Sequence, residues 1–229
     1  GKTWLSAFDV KQFKAKRGLF VEHREEILLQ AQRTFSELLT LSTGFYNGKQ
    51  REKNAECLFA SIQTIGRSNH LKQFAPTAFD YIIVDEFHHA SARVYRQLLN
   101  YFEPQFLLGL TATPERTDQA DILGLCDNNL VFERNLTQGI VQKTLVPFHY
   151  YGIWDENVNY QAIPWRNGRF DPTALENKFA THKRAEHALA QWQQYKQQRT
   201  LGFCISIKHA DYMAAAFNKA GVKALSVHS

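Results

Sequence analysis

Three short clusters in this chain have the residue types that phosphate chemistry needs. Gly1, Lys2 and Thr3 precede a helical pattern of Trp4, Leu5, Phe8 and Phe13. That is the closing half of a phosphate-binding loop, in which the Lys neutralises β- and γ-phosphates and the Thr hydroxyl binds Mg²⁺ at a helix N-terminus. Asp85-Glu86-Phe87-His88 follows the apolar run Tyr81 to Val84. A run buried on both faces cannot also bury two adjacent carboxylates cheaply, so the acids belong where the strand ends, at the carboxyl edge of a sheet. A strand-end Asp there is the usual outer ligand of the Mg²⁺ that a phosphate-loop Thr holds, and Glu86 would polarise the attacking water. The same acids would equally suit the cap of a following helix. Thr111-Ala112-Thr113-Pro114-Glu115-Arg116 comes after Phe106 to Leu110 and so falls on the same edge. Alone it is an ordinary strand-to-loop turn; all three clusters in this order, each at the end of an element, are much harder to obtain by accident.

Positioning these residues takes an α/β scaffold, and apolar runs alternate with helical patterns along the whole chain. Gly18 to Val21, Cys57 to Ile62, Phe79 to Val84 and Gln105 to Leu110 read as four strands of one sheet. Ile27, Ala31, Phe35, Leu38 and Leu39 recur at helical spacing, as do Val94, Leu98, Leu99 and Phe102. From Asn135 to Asp171 the pattern loosens into a candidate domain junction, within which Leu145 to Trp154 reads as a strand. A helix is expected from Pro172 to about Gln198, then a second βαβ unit: strand Thr200 to Ile207, helix His209 to Ala220 closed by Gly221, and strand Val222 to Val227.

With 229 residues, 44% of them hydrophobic, the chain can bury a real core, which excludes a disordered tail. No apolar run approaches the ~18 residues that cross a bilayer, and no signal peptide or lipidation motif is present, so a cytoplasmic location is expected. Cys57, Cys126 and Cys204 lack any C-x-x-C pairing and read as small buried hydrophobes. The net charge of +5 suits a polyanionic partner without requiring one. His88 and His89 lack the spacing of a zinc site. The basic stretch Asn47 to Lys53 is expected to be a solvated loop, and Tyr150, Tyr151, Trp154, Tyr160 and Trp165 to pack in the core of the junction rather than to stack bases.

On these motifs the chain is similar to the superfamily 2 DExH-box helicases, in particular to the bacterial group whose motor resembles the helicase subunit of type III restriction enzymes. Gly1-Lys2-Thr3 matches the end of that family's first motif, Asp85-Glu86-Phe87-His88 its second, and Thr111-Ala112-Thr113 its third. Val21-Glu22-His23-Arg24 and Ser61-Ile62-Gln63-Thr64 resemble the segments that touch the nucleic-acid backbone. Phe203-Cys204-Ile205-Ser206, His209-Ala210 and Val227-His228-Ser229 resemble the opening of the second motor domain.

The resemblance implies a RecA-like parallel-sheet P-loop NTPase of two domains, 1–140 and 141–229, the second truncated. It implies ATP and Mg²⁺ bound by Gly1, Lys2, Thr3, Asp85, Thr111 and Thr113, hydrolysis through Glu86, Asp85 and His88, and DNA or RNA held by its phosphates at Arg24, Gln63, Thr64 and Ser206. His88 would link the nucleotide to Thr111 or Thr113. The front of the phosphate loop, the adenine-reading segment and the late arginine motif are not in the sequence. The expectation is therefore a piece of a longer bacterial motor that hydrolyses ATP poorly alone, with a non-hydrolysing binding module or a duplex-DNA translocase as the alternatives.

Overall fold

The computed structural model describes residues 1–113, 122–154, 159–166, 169–171, 173–175 and 181–228. The chain divides into two compact units, Gly1–Gln142 and Lys143–Ser229.

The first unit is built on a five-stranded, fully parallel sheet: β1 (Gly18–Glu22), β2 (Thr43–Tyr46), β3 (Cys57–Ser61), β4 (Tyr81–Val84) and β5 (Phe106–Gly109), in the order β2-β3-β1-β4-β5. The three central strands are Phe-, Leu-, Ile- and Val-rich because both of their faces are covered, and β1 and β4 are buried at every position. On one face Phe20, Phe59, Tyr81 and Ile83 pack under α1 (Lys2–Phe13) and α2 (Glu25–Leu38), which contribute Ala7, Val10, Leu28, Ala31 and Phe35. On the other face Leu19, Leu58, Ile82 and Val84 meet the short α3 (Ile62–Ile65) and α4 (Ser68–Leu71), and α5 (Arg93–Tyr101) through Tyr95 and Leu98. The alternation of the strands thus splits one sheet into two cores.

At the amino edge of the sheet, Asp80 accepts the backbone N–H groups of Lys16 and Arg17, each at 2.8 Å, and so fixes the entry into β1 against the entry into β4. The β5 strand is different. Among the described residues it pairs with β4 alone, and its apolar residues are exposed to half-buried, Phe106 by 37%.

Four of the five strands coincide with the expected runs to within two residues. The fifth, β2, carries no continuous apolar run: Thr43 and Phe45 are half-buried, and only Gly44 and Tyr46 point inward. The Asn47 to Lys53 stretch is a solvated loop, exposed from Gly48 to Lys53, that is tied down at its base. Asn47 is buried, its side-chain oxygen accepts the N–H groups of Lys49 and Gln50, and Arg51 forms an antiparallel bridge with Tyr46. After β5 the described chain continues through a capped helix, α6 (Leu136–Val141), in which Asn135 and Gln138 cap each other reciprocally.

Among the described residues the second unit holds two long helices, α7 (His182–Tyr195) and α8 (Ile207–Lys219), packed through Trp192 and Phe217 with ring centroids 5.6 Å apart. It also holds a minimal antiparallel pair, β6 (Trp165–Arg166) with β7 (Arg169–Phe170). Of the expected helix over 172–198, residues 173–175 are helical and α7 runs from His182 to Tyr195 behind an extended Thr181, while residues 172 and 176–180 lie outside the described residues.

The expected strands at 145–154, 200–207 and 222–227 are not formed among the described residues. Apolar alternation is present in them, but a strand requires a ladder partner, and Leu201, Phe203, Leu225 and Val227 are 78–92% exposed. The aromatic cluster also departs from expectation: Tyr150, Tyr151, Trp154 and Trp165 are exposed rather than core. Tyr151 stacks on Tyr195 at 4.1 Å, and Trp165 meets Phe170 edge-on. Of the cysteines only Cys57 is fully buried, which pushes its thiol up to about 12; Cys126 and Cys204 are half-buried.

Candidate functional site

The carboxyl edge of the sheet gathers the three clusters. The β4 ladder runs one residue beyond the strand, the Asp85 N–H donating to the Val21 carbonyl at 3.0 Å, so Asp85 is held rigidly and is almost fully buried. Its Oδ1 accepts the Glu86 N–H at 2.9 Å. Glu86 then adopts the left-handed conformation, φ 48° and ψ 48°, which lifts its side chain out of the strand direction. A non-glycine residue in that region stores strain that the surroundings must hold. A single turn of 3₁₀ helix, Phe87–His89, follows. It is pinned to the end of β5 by the Phe87 N–H, which donates to the Leu110 carbonyl at 2.8 Å.

Lys2 reaches this corner from the first turn of α1. Its Nζ lies 3.1 Å from Glu86 Oε1 and 3.4 Å from Asp85 Oδ1. Two segments 84 positions apart in sequence therefore share one cation and two carboxylates. Gly1 caps α1 without a side chain and its first turn carries no acid, which leaves the positive end of the helix available to an anion. Thr3 is half-buried in the same turn, its carbonyl accepting the Ser6 hydroxyl at 2.9 Å. His88 Nδ1 sits 3.2 Å from Glu86 Oε2 and 3.1 Å from Thr111 Oγ1, and that hydroxyl accepts the Thr113 N–H at 3.1 Å. The third cluster is thus bonded to the second as far as Thr113; Pro114, Glu115 and Arg116 lie outside the described residues. His89 does not point to bare solvent: its ring meets that of His23 edge-on at 5.3 Å.

Gly109 sets how closely β5 approaches this loop. A Cβ there would come within 2.7–2.9 Å of the Phe87 ring. Gly109→Ala is expected to cost about 1–3 kcal/mol and to push the Glu86–His88 turn away from Thr111. Thermal denaturation read beside the His88 side-chain NMR resonances checks both effects; an unshifted resonance would contradict the second.

The remaining candidates divide. Arg24 and Gln63 come together, because β1 and β3 are neighbours: Gln63 Nε2 donates to the His23 carbonyl at 3.1 Å, and Arg24 Nε lies 3.2 Å from His23 Nε2. Thr64 is buried and receives a hydrogen bond from the Ser61 hydroxyl at 3.0 Å. Ser206 belongs to the second unit, where its hydroxyl caps α8 by accepting the His209 N–H at 3.1 Å.

Two residues with no role in the sequence reading stand directly behind the acids. Glu22, the last residue of β1, has no exposed surface. Its Oε1 accepts the N–H groups of His23 and Arg24 at 2.8 and 3.1 Å and lies 2.5 Å from His23 Nδ1, whereas Oε2 has no hydrogen-bond partner among the described residues. Burial raises its pKa above the usual carboxylate range, opposed by those two N–H groups and by His23 and reinforced by the nearby Asp85. Tyr95 of α5 is likewise buried with its hydroxyl unpaired among the described residues, and burial together with Glu22, Asp85 and Glu86 holds its proton on. The sequence signal for Glu22 was a carboxylate closing an otherwise apolar run; for Tyr95 there was only its place beside Val94 in the helical pattern.

The donor set fits a hard divalent cation: a rigid carboxylate at a strand end faces a turn carrying a hydroxyl and a lysine, and hard oxygen donors select Mg²⁺ over softer ions. Among the described residues no group of three or more His, Cys, Asp and Glu could hold a metal ion.

Residues 1–116 match the family model described as type III restriction enzyme, res subunit. Over 227 residues the chain is 25% identical to the putative ATP-dependent helicase IRC3 of Saccharomyces cerevisiae, covering 92% of this chain and 32% of that protein. Over 250 residues it is 26% identical to the type I restriction enzyme EcoAI endonuclease subunit of Escherichia coli, covering 94% of this chain and 30% of that one. It therefore spans about a third of the length of these curated relatives. Among solved structures, the Hef helicase domain of Pyrococcus furiosus matches 95% of this chain and 47% of that one with a TM-score of 0.52 and 15% identity, a likeness of fold that agrees with the RecA-like α/β class.

Proposed function

Because the chain belongs to the family of type III restriction enzyme res subunits, we propose that it is part of an ATP-dependent helicase or translocase motor, one that couples ATP hydrolysis to movement on or unwinding of DNA. The observation that carries this reading is the convergence of Lys2 on Asp85 and Glu86.

The Lys2 ammonium neutralises both acids. Arrival of a triphosphate gives Lys2 a stronger anionic partner, so it turns to the β- and γ-phosphates and releases Glu86. The open first turn of α1 from Gly1 onward lies under the same phosphates. Thr3 and Asp85 would hold Mg²⁺, which supplies neutralisation of the charge that develops on the phosphate oxygens. Glu86, freed from Lys2 and aimed by its left-handed backbone, orients the attacking water and accepts its proton. His88 carries the change at Glu86 to Thr111 and so to Thr113, since one imidazole contacts both.

Arg24 and Gln63 present donors on the same sheet edge, where they would grip the phosphates of a polynucleotide, with Thr64 ordering the turn beneath. Ser206, at the start of a helix in the other unit, is assigned the matching phosphate contact there. The division into 1–140 and 141–229 follows the two motor domains. DNA is taken as the track because a relative is named a restriction enzyme subunit; that this relative is from E. coli also favours a bacterial setting. Among the described residues no helix is long and apolar enough to cross a membrane.

The test is ATP turnover by the intact protein with and without single-stranded and duplex DNA. Hydrolysis stimulated by DNA is expected, together with DNA affinity that falls with log salt at a slope of about −0.7 per phosphate contact on single strands. Turnover indifferent to DNA removes the motor reading. A salt-independent affinity removes the phosphate grip.

A further inference from the structure

The geometry points to Glu22 as a positioning residue that, backed by Tyr95, couples the grip of Arg24 on a polynucleotide to the state of the Asp85–Glu86 acid pair; this rests on the motor reading above. Glu22 closes the central strand of the sheet. On one side its register partner is Ser61, which opens the Ser61-Ile62-Gln63-Thr64 segment. On the other side stands Asp85, whose N–H bonds to the residue just before Glu22. Among the described residues β1 alone separates β3 from β4, so its last residue stands between the two groups of candidate residues.

The contacts of Glu22 make it more than a spacer. A single carboxylate oxygen holds the N–H groups of both His23 and Arg24, so the backbone that aims Arg24 is fixed by that charge. The His23 side chain leans on the same oxygen and meets the ring of His89, which belongs to the turn directly after the acids. The Gln63 side chain closes the circuit on the His23 carbonyl.

A carboxylate with one oxygen saturated and the other buried without a partner among the described residues is costly, as is a buried phenol in the same position. Such cost is tolerated where a site needs a group that responds to its surroundings. The orphaned atoms are complementary in kind, an acceptor on Glu22 and a donor on Tyr95, and Tyr95 lies within the electrostatic reach of Glu22, Asp85 and Glu86 together. A change of charge at the acids is felt by the carboxylate that holds the Arg24 turn, and by reciprocity a polynucleotide pulling on that turn is felt at the acids.

The experiment measures single-stranded oligonucleotide affinity by fluorescence anisotropy on the intact protein, with and without Mg²⁺ and a non-hydrolysable ATP analogue, in wild type, Glu22→Gln and Tyr95→Phe. The expected wild-type ratio of the two affinities is about fivefold or more. It should fall toward one in Glu22→Gln and part-way in Tyr95→Phe, while nucleotide affinity without the oligonucleotide stays within about twofold, since coupling energy and site affinity are separate quantities. General destabilisation would weaken both affinities and leave their ratio alone. A wild-type ratio retained in Glu22→Gln overturns the inference. If that variant fails to fold by thermal denaturation, the ratio in Tyr95→Phe decides, an unchanged value overturning it. A wild type that binds nucleotide and oligonucleotide with no coupling overturns it too and leaves the motor reading in place; a wild type that binds neither ends the motor reading itself.

Discussion

Glu86→Gln in the intact protein is expected to slow ATP hydrolysis by about 10²–10⁴-fold, the usual worth of a positioned general base, while leaving nucleotide bound. The amide keeps the size of the carboxylate and can still accept from Lys2, so the corner holds its shape; what it loses is the ability to take a proton from water. The left-handed backbone at Glu86 adds to the argument, because the fold keeps a strained, charged residue at a position where Gly or Asn would sit at lower cost. Single-turnover hydrolysis measured beside titration of a fluorescent nucleotide separates chemistry from binding. A rate within about tenfold of wild type would show that Glu86 caps its turn and does nothing more.

The second large effect lies in the scaffold. Phe59→Ala is expected to cost about 3–5 kcal/mol, a sizeable share of the whole stability of an ordinary domain. Phe59 is the middle of β3, fully buried, in register with Phe20 of β1 and Phe45 of β2. Its ring lies 5.6 Å from Phe20 and 5.3 Å from Phe35, so truncation opens a void between the sheet and α2 that aromatic neighbours on fixed strands cannot close. Urea denaturation of the intact protein followed by fluorescence or circular dichroism measures it. A loss under about 1 kcal/mol would mean that the cluster relaxes into the space.

How much of this was legible beforehand depended on what each residue reports about its own surroundings. Central strands announce themselves because burial on both faces demands unbroken apolar runs, and β1, β3 and β4 obey that demand. An outer strand obeys it only in part, which is why Thr43-Gly44-Phe45-Tyr46 carried no clear signal. In the second unit the opposite occurred: Leu201, Phe203 and Ile205 alternate as a strand does, yet alternation records a preference, and a ladder needs partners. The corner formed by Lys2, Asp85, Glu86, His88 and Thr111 could be read because motif order places each at the same sheet edge. The left-handed turn at Glu86 could not, since no Gly or Asn marks it. Glu22 stayed hidden for a related reason: whether a strand-end carboxylate faces water or is buried is decided by elements far away in sequence that cover the sheet.

Among the described residues the outer side of β5 has no ladder partner, which bears on handling the molecule. Phe106-Leu107-Leu108-Gly109 carries neither lysine nor proline to discourage another backbone from docking there. A solution of these 229 residues thus holds a ready template for edge-to-edge joining of copies, and its tendency to clump will track protein concentration more than loss of the native sheet.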